Sequence, residues 1–272
     1  MLAAIGRGMH RQWHTRPWVF DDPYALPLAG PGWQQLLAVF DALISRPLFD
    51  LAVGGLAVRS RYTEDRLETG NYAQYVLLGA GLDSLAWRRP DLLRQMTVFE
   101  VDHPSTQAWK RERVAALHLP EHERHVFAPA DFESEDLRDV LDRAGFDWSK
   151  PTLFGWLGVV MYLTRDAVAT TLRTLAGAGP GSGVVMTYVP TREYHDDESL
   201  AFLEIMEPLL AQMGEPFTEG FTPGEIAALV RQCGHVVDEE VGQEELMVRY
   251  FADRKDGLHT YTVERILSTS LP

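Results

Sequence analysis

Short apolar runs recur along the chain, separated by stretches with helical spacing. Tyr75-Val76-Leu77-Leu78 ends in Gly79-Ala80-Gly81, and Thr97 to Val101 ends on Asp102 and is stopped by Pro104. His125 to Ala128 is a third run, Thr152 to Leu157 a fourth and Val184 to Tyr188 a fifth. The fourth is apolar throughout, as expected of a central strand buried on both faces. Helices are predicted between them over 106–117, 134–144 and 165–176, the last with Thr164 as its N-cap. His235 to Val241 and Leu258 to Leu267 are predicted as two last strands, a hairpin closing a seven-stranded sheet. Strands alternating with helices of about ten or more residues predict an α/β fold: a doubly wound, mostly parallel sheet with helices on both faces.

Two segments break this rhythm. Residues 1–70 read as a helical cap or lid. A helix leads to a turn at Pro23, helices over 33–58 are interrupted near Pro47 and Gly54-Gly55, and a helix over 57–67 carries Arg59 and Arg61. At that spacing the two arginines point to different faces, so at most one turns inward. The basic and aromatic residues of the first stretch (His10, Arg11, Trp13, His14, Arg16, Trp18) are read as packing on the core, with a lid over a substrate as the alternative. Residues 191–223 read as an insertion with a helix over 198–213, placed over the carboxyl ends of the strands where ligands sit in such sheets. Another helix, 222–233, has Thr222 as cap and Pro223 in first position. The division is therefore a cap (1–70), a ligand-binding core (71–190), the insertion and a C-terminal part of the sheet (224–272), all in a single domain.

Composition narrows the ligand. At 272 residues with 46% hydrophobic and 24% charged residues, the chain can bury a sizeable core. A formal net charge of −14 disfavours nucleic acid and anionic membrane surfaces, and leaves a small molecule. Cys233 is the only cysteine, which excludes an intrachain disulfide and a thiolate metal cluster. No apolar run of about 18 residues occurs and the N-terminus is broken by charge, so a cytoplasmic protein is expected. Either a monomer or a homodimer is compatible with this sequence.

The candidate chemistry lies between Tyr75 and Pro104. A strand ending in Gly79-x-Gly81, a helix, then a strand ending in a carboxylate is the first half of a nucleotide-binding unit. Glycines let the backbone turn sharply and approach a ligand, and Asp102 can accept both hydrogen bonds of a ribose diol. The motif reads Gly-x-Gly-x-x-Ser because position 84 is Ser84, so the dinucleotide fingerprint is incomplete.

LLGAGLDSLAWR, VFEVDHP, ADF and PTLFGWLGVVMYLT, in that order, resemble the leucine carboxyl methyltransferase family of class I S-adenosylmethionine-dependent methyltransferases. The similarity is strongest to a bacterial small-molecule branch, with DPYA..LAG (22–30), R-x-R (59–61), GEPF (214–217) and YFADR-x-DGL (250–258), and it extends over about residues 16–266. It implies a Rossmann-like methyltransferase fold with S-adenosyl-L-methionine as cofactor and S-adenosyl-L-homocysteine as product. Gly79, Ala80 and Gly81 would then lie against the amino-acid tail, Asp102 take the ribose, and Asp131 and Phe132 meet the adenine. Arg61, or failing it Arg59, would hold the tail carboxylate. The protein-methylating members carry a glutamate near the cofactor five residues before a tyrosine. That position here is Leu157, which the resemblance keeps among the cofactor contacts, and the missing glutamate argues against a protein C-terminus as substrate.

The implied reaction is O-methylation of a small metabolite, with a carboxylate acceptor slightly ahead of a hydroxyl and secondary-metabolite (polyketide-type) tailoring as the setting. A carboxylate of pKa ~4 is already ionised, whereas a phenol of pKa ~10 needs help. Tyr188 and His195 are the candidate bases or orienting donors. Trp13, Tyr24 and Tyr162 are candidate acceptor contacts, and no metal site is expected. A nicotinamide-dependent oxidoreductase and a non-catalytic binding protein of the same fold are the alternatives.

Overall fold

The computed structural model describes residues 1–131 and 135–272. Four helices come first: α1 (Leu2–Trp13), α2 (Ala25–Ala29), α3 (Trp33–Leu43) and α4 (Arg46–Thr69). Then β1 (Gln74–Leu78) leads through the short helices α5 (Leu85–Arg88) and α6 (Pro90–Leu93) to β2 (Thr97–Asp102), α7 (Pro104–Ala116) and β3 (His125–Pro129). Next come α8 (Leu137–Arg143), β4 (Thr152–Trp156), α9 (Arg165–Leu175), β5 (Gly183–Tyr188) and α10 (Asp197–Gln212). The chain closes with α11 (Pro223–Gln232), β6 (Val236–Val241), α12 (Gln243–Tyr250) and β7 (Arg265–Ser270).

The strands form one sheet in the order β3-β2-β1-β4-β5-β7-β6. It is parallel except for β7, which runs antiparallel to both β5 and β6. The strand order reverses between β1 and β4, so the crevice beyond their carboxyl ends is the natural ligand site. β1, β4 and β5 are buried along their whole length, and their residues alternate between two cores. Tyr75 and Leu77 face the side covered by α1 and α4, whereas Val76 and Leu78 face α8, α9 and α11. A third apolar cluster joins α3, α4 and α10 to Tyr261 and Val263, so the insertion and the cap share a core.

Local signals explain most element ends. Thr164 accepts from the Ala167 amide to start α9, and Thr222 and Glu225 form a reciprocal capping box at α11. Asp196 caps α10 by accepting from Ser199.

Three expectations need correction. Gly54 and Gly55 do not interrupt a helix; α4 runs unbroken through them for 24 residues. They are glycine because the 259–261 segment crosses there: a β-carbon on Gly54 would stand 2.0 Å from the His259 carbonyl oxygen, and one on Gly55 2.0 Å from the Tyr261 ring. The last two strands are antiparallel but do not make a simple hairpin, since α12 lies between them and β7 starts only at Arg265. Leu258 to Glu264 packs across α4 instead of extending the ladder. The helix expected from Ser134 is α8, Leu137–Arg143; Ser134 itself lies outside the described residues.

Candidate functional site

The loop after β1 is shaped by its glycines. Gly79 and Gly81 have φ of +72° and +52°, a region that costs a residue with a β-carbon about 1–2 kcal/mol. The Gly79 and Ala80 amides donate to the Val101 carbonyl at 2.9 and 3.2 Å, which ties the loop to β2. A β-carbon on Gly79 would meet the Val159 side chain at 2.4 Å, so the loop after β4 lies directly against the glycine loop. Nothing lies within 4 Å of the corresponding point on Gly81, which borders open space.

Asp102 stands at the carboxyl end of β2. One of its oxygens accepts from the Gly81 amide and the other from the His103 amide at 2.7 Å. Burial pushes its carboxyl above the usual range, and those two amides only partly offset the shift. Asp131 follows β3, half-buried, and its amide donates to Glu135 at 3.1 Å. The Ala130 amide donates to the Asp102 carbonyl, which sets Asp131 beside Asp102 at the same edge of the sheet. Phe132 lies outside the described residues.

Beneath the loop, the cap is fastened to it by charge. Arg7 donates to Asp22 at 2.9 Å and to the Leu82 carbonyl at 2.8 Å, and the Ser84 hydroxyl donates to Asp22 at 2.6 Å. Arg88 donates to Ser84 at 2.8 Å and pairs with Glu64. Burial alone would raise the Asp22 carboxyl, but Arg7, Arg88 and Ser84 outweigh it and hold it below the usual range. Ser84 therefore has a positive reason to stand where a dinucleotide fingerprint has glycine: its hydroxyl bridges Asp22 and Arg88.

The two arginines of α4 separate cleanly. Arg61 is on the outer face, 45% exposed and paired with Asp65 one turn on at 2.7 Å. Arg59 is inward: its side chain is 12% exposed, and Nη1 pairs with Glu264 at 2.5 Å. Its Nη2 lies 2.6 Å from where a β-carbon on Gly158 would stand, and Gly158 has φ +70°. The preceding residue, half-buried Leu157, packs on the cap-side core. Of the two candidates it is thus Arg59, the second choice from sequence, that reaches the crevice. Burial opposes the charge on Arg59, but Glu264 and neighbouring tyrosines more than restore it.

The remaining candidates divide in the same way. Tyr162 is half-buried against Phe217, with ring centroids 5.6 Å apart. Burial first, then the Glu215 and Glu264 charges, push its phenol up to about 12, so it is a protonated donor beside Arg59. Tyr188 does not reach the crevice: its ring is fully buried in the α9–α11 core and its hydroxyl donates to Glu240 at 2.8 Å. His195 is half-buried, with Nδ1 3.0 Å from the Thr262 carbonyl. A carbonyl only accepts, so Nδ1 carries the proton, and burial lowers the ring's pKa. That histidine pins the insertion to the segment before β7. Trp13 lies under the Arg46 guanidinium at 3.6 Å and edge-on to Phe49, and Tyr24 packs into the cap core. Both make these contacts inside the cap. Arg7, Asp22, Ser84 and Glu264 were not among the candidates; only Asp22 and Ser84 sit in motifs that local sequence singles out.

No group of metal-binding side chains occurs among the described residues. No helix there is long and apolar enough to cross a membrane.

Comparison with known proteins places this geometry. Residues 1–176 match the leucine carboxyl methyltransferase family, more than half of the 272 residues. The chain belongs to that family. A Bacillus subtilis (strain 168) relative, YktD, provisionally named an S-adenosyl-L-methionine-dependent methyltransferase, is 36% identical over 191 residues, or 69% of this chain and 62% of its own length. A Mycolicibacterium vanbaalenii protein of the same provisional name is 29% identical over 83% of this chain and 75% of its own. The chain thus spans less than two thirds of the length of the Bacillus relative. Among solved structures, a DUF574-family protein from Streptomyces avermitilis superposes with TM-score 0.61 at 15% identity, over 100% of this chain and 97% of the other. A Thermobifida fusca protein provisionally titled a methyltransferase gives TM-score 0.61 at 19% identity, over 91% and 92%. At those identities the structures establish the leucine carboxyl methyltransferase member's fold, which is that of class I methyltransferases.

Proposed function

We propose that this chain is an S-adenosylmethionine-dependent O-methyltransferase acting on a carboxylate or hydroxyl of a small metabolite. The observation that carries the reading is the Asp102 carboxylate closing onto the Gly81 amide at the switch point of the sheet, beside open space above Gly81. The residues present fit the cofactor. Asp102 would take the ribose hydroxyls, Asp131 the adenine amine, and the glycine loop would lie along the tail. Arg59 would donate to the tail carboxylate in a charge-assisted pair. When bound, the cofactor would supply an electrophilic methyl group for an acceptor oxygen, with the thioether S-adenosylhomocysteine as the leaving group.

The protein's own part is alignment and exclusion of water. The third apolar cluster, shared by α3, α4 and α10, extends to Val189 just past β5, and Tyr162, which keeps its proton, would serve as a hydroxyl donor to the acceptor. Leu157 in place of a glutamate supports a small molecule over a protein terminus. Family resemblance suggests secondary-metabolite tailoring; the cytoplasmic setting and a monomer or homodimer are carried over from the sequence expectation.

The test is calorimetric titration with S-adenosylmethionine and S-adenosylhomocysteine, followed by a methyl-transfer screen against carboxylic acids and phenols. Binding of both ligands with transfer to a member of the panel is expected. No binding at millimolar ligand would sink the reading.

A further inference from the structure

Glu264 is buried, with a side chain 9% exposed, and only one of its oxygens is used in an ion pair. Oε1 accepts from Arg59, while Oε2 is buried with no well-aligned hydrogen-bond donor among the described residues. The phenol of Tyr261 lies beside this carboxylate. Burial first, then the Glu264 charge, push that phenol well up, so it stays protonated and takes no proton from a ligand. The protonated Tyr261 hydroxyl beside it makes no well-formed hydrogen bond to Oε2, and a buried carboxylate oxygen left so poorly satisfied is costly to keep. Such an atom is explained when a ligand supplies the donor.

The location says which ligand group that is. Arg59 rests on Gly158, the next residue, Val159, rests on Gly79, and Gly79 begins the loop that, on the reading above, would lie along the cofactor's tail. The Arg59–Glu264 pair therefore stands at the tail end of the crevice. The amino-acid tail is a zwitterion, an α-carboxylate and an α-ammonium on one carbon. Arg59 has unused donors beyond Nη1, and Glu264 has an unused acceptor. A neutral pair receiving a neutral zwitterion buries no net charge, which a lone arginine could not achieve.

We infer that Glu264 and Arg59 together clamp the tail, Glu264 Oε2 accepting from the α-ammonium and Arg59 donating to the α-carboxylate. The inference rests on the cofactor reading above and adds a residue to it. Glu264, from the segment before β7, supplies a carboxylate at the place where the strand end itself offers Leu157. It is a positioning residue for the cofactor and takes no part in proton transfer.

Three ligands test it on the intact protein by calorimetry. They are S-adenosylhomocysteine, its deamino analogue 4-(5′-adenosylthio)butanoate, and 5′-methylthioadenosine, which has no amino-acid tail. For the unaltered protein the deamino analogue should bind at least tenfold more weakly than S-adenosylhomocysteine. Equal affinities would overturn the clamp without any variant. In Glu264→Gln, S-adenosylhomocysteine should lose at least tenfold while 5′-methylthioadenosine stays within twofold, which also shows the pocket intact. An unchanged affinity for S-adenosylhomocysteine, or a parallel loss for both ligands, would refute the clamp. If the unaltered protein binds none of the three, the cofactor reading falls first, and that outcome is distinct.

Discussion

The Arg59 guanidinium rests on the α-carbon of Gly158, with Nη2 2.6 Å from the place a β-carbon would take. A helix from the cap and the turn after β4 are thereby packed without room for a methyl group. Gly158 also has φ +70°, so alanine there meets backbone strain and a collision at once. Gly158→Ala should displace Arg59 from Glu264 and weaken S-adenosylhomocysteine binding at least tenfold, or roughly 1.4 kcal/mol. Calorimetry of the variant checks this. Retained affinity would mean that Arg59 is not a tail ligand.

Asp102 bears on both affinity and pH. Asp102→Ala should cost at least tenfold in S-adenosylhomocysteine affinity, again about 1.4 kcal/mol or more. The diol needs the ionised acceptor, and burial raises this carboxyl above an ordinary aspartate. Acidification should therefore weaken binding at a higher pH than an unperturbed aspartate would, and the alanine variant should lack that component. A titration series at falling pH that superposes for both proteins would dismiss Asp102 from the site.

Tyr188 is predicted to be structural. Its hydroxyl is committed to Glu240, which also pairs with Arg265 at 2.8 Å. Tyr188→Phe should leave ligand affinity and any methyl transfer within twofold and lower stability by about 1.5 kcal/mol, the worth of a hydrogen bond to a charged acceptor. Denaturant unfolding beside an activity assay separates the two effects. Lost transfer at normal affinity would restore Tyr188 as a catalytic group.

His10 should make the cap acid-sensitive. Its Nε2 accepts from the Val19 amide at 2.9 Å, so the proton sits on Nδ1, which donates to His14 Nδ1 at 3.3 Å. His14 Nε2 in turn faces Asp50 at 3.4 Å. Burial first, then His14 and Arg254, lower the His10 pKa from 6.5 to about 3. Above pH 6.5 neither the folded nor the unfolded state holds the proton there, and His10 contributes no slope. Between 6.5 and about 3 only the unfolded chain binds it, so stability falls with pH by ~1.4 kcal/mol per unit. Urea unfolding at pH 7.5 and 5 should show a larger loss for the unaltered protein than for His10→Gln, whose amide oxygen can still accept from Val19. Identical losses would refute the assignment.

The strands were legible because a buried parallel strand announces itself by composition over five or six residues, and the glycine loop and Asp102 sit at the ends of such runs. The failures involve partners far along the chain. Gly54-Gly55 looks like a helix break until the segment at His259 and Tyr261 is brought against it. The spacing of Arg59 and Arg61 shows that they diverge, but only the position of Gly158 decides which turns inward. Tyr188 and His195 have the right functional groups for a base, yet Glu240 and the Thr262 carbonyl already occupy them. Glu264 is the one acid in the run from Leu258 to Leu267 that reads as a strand, and nothing local points it at a partner on α4.

The paired glycines of α4 impose an order on assembly. They are a notch cut for residues about two hundred positions downstream, and Arg59 meets its partner 205 residues away. Contacts of such span close late in folding. A chain emerging from the ribosome can raise β1, β2 and the glycine loop early, yet the tail end of the crevice is finished only when the last segment slots into the notch. Clipping the chain near residue 255 would remove β7, and with it the link that holds β6 to β5, so only the five parallel strands would keep their ladder and Arg59 would lose its partner.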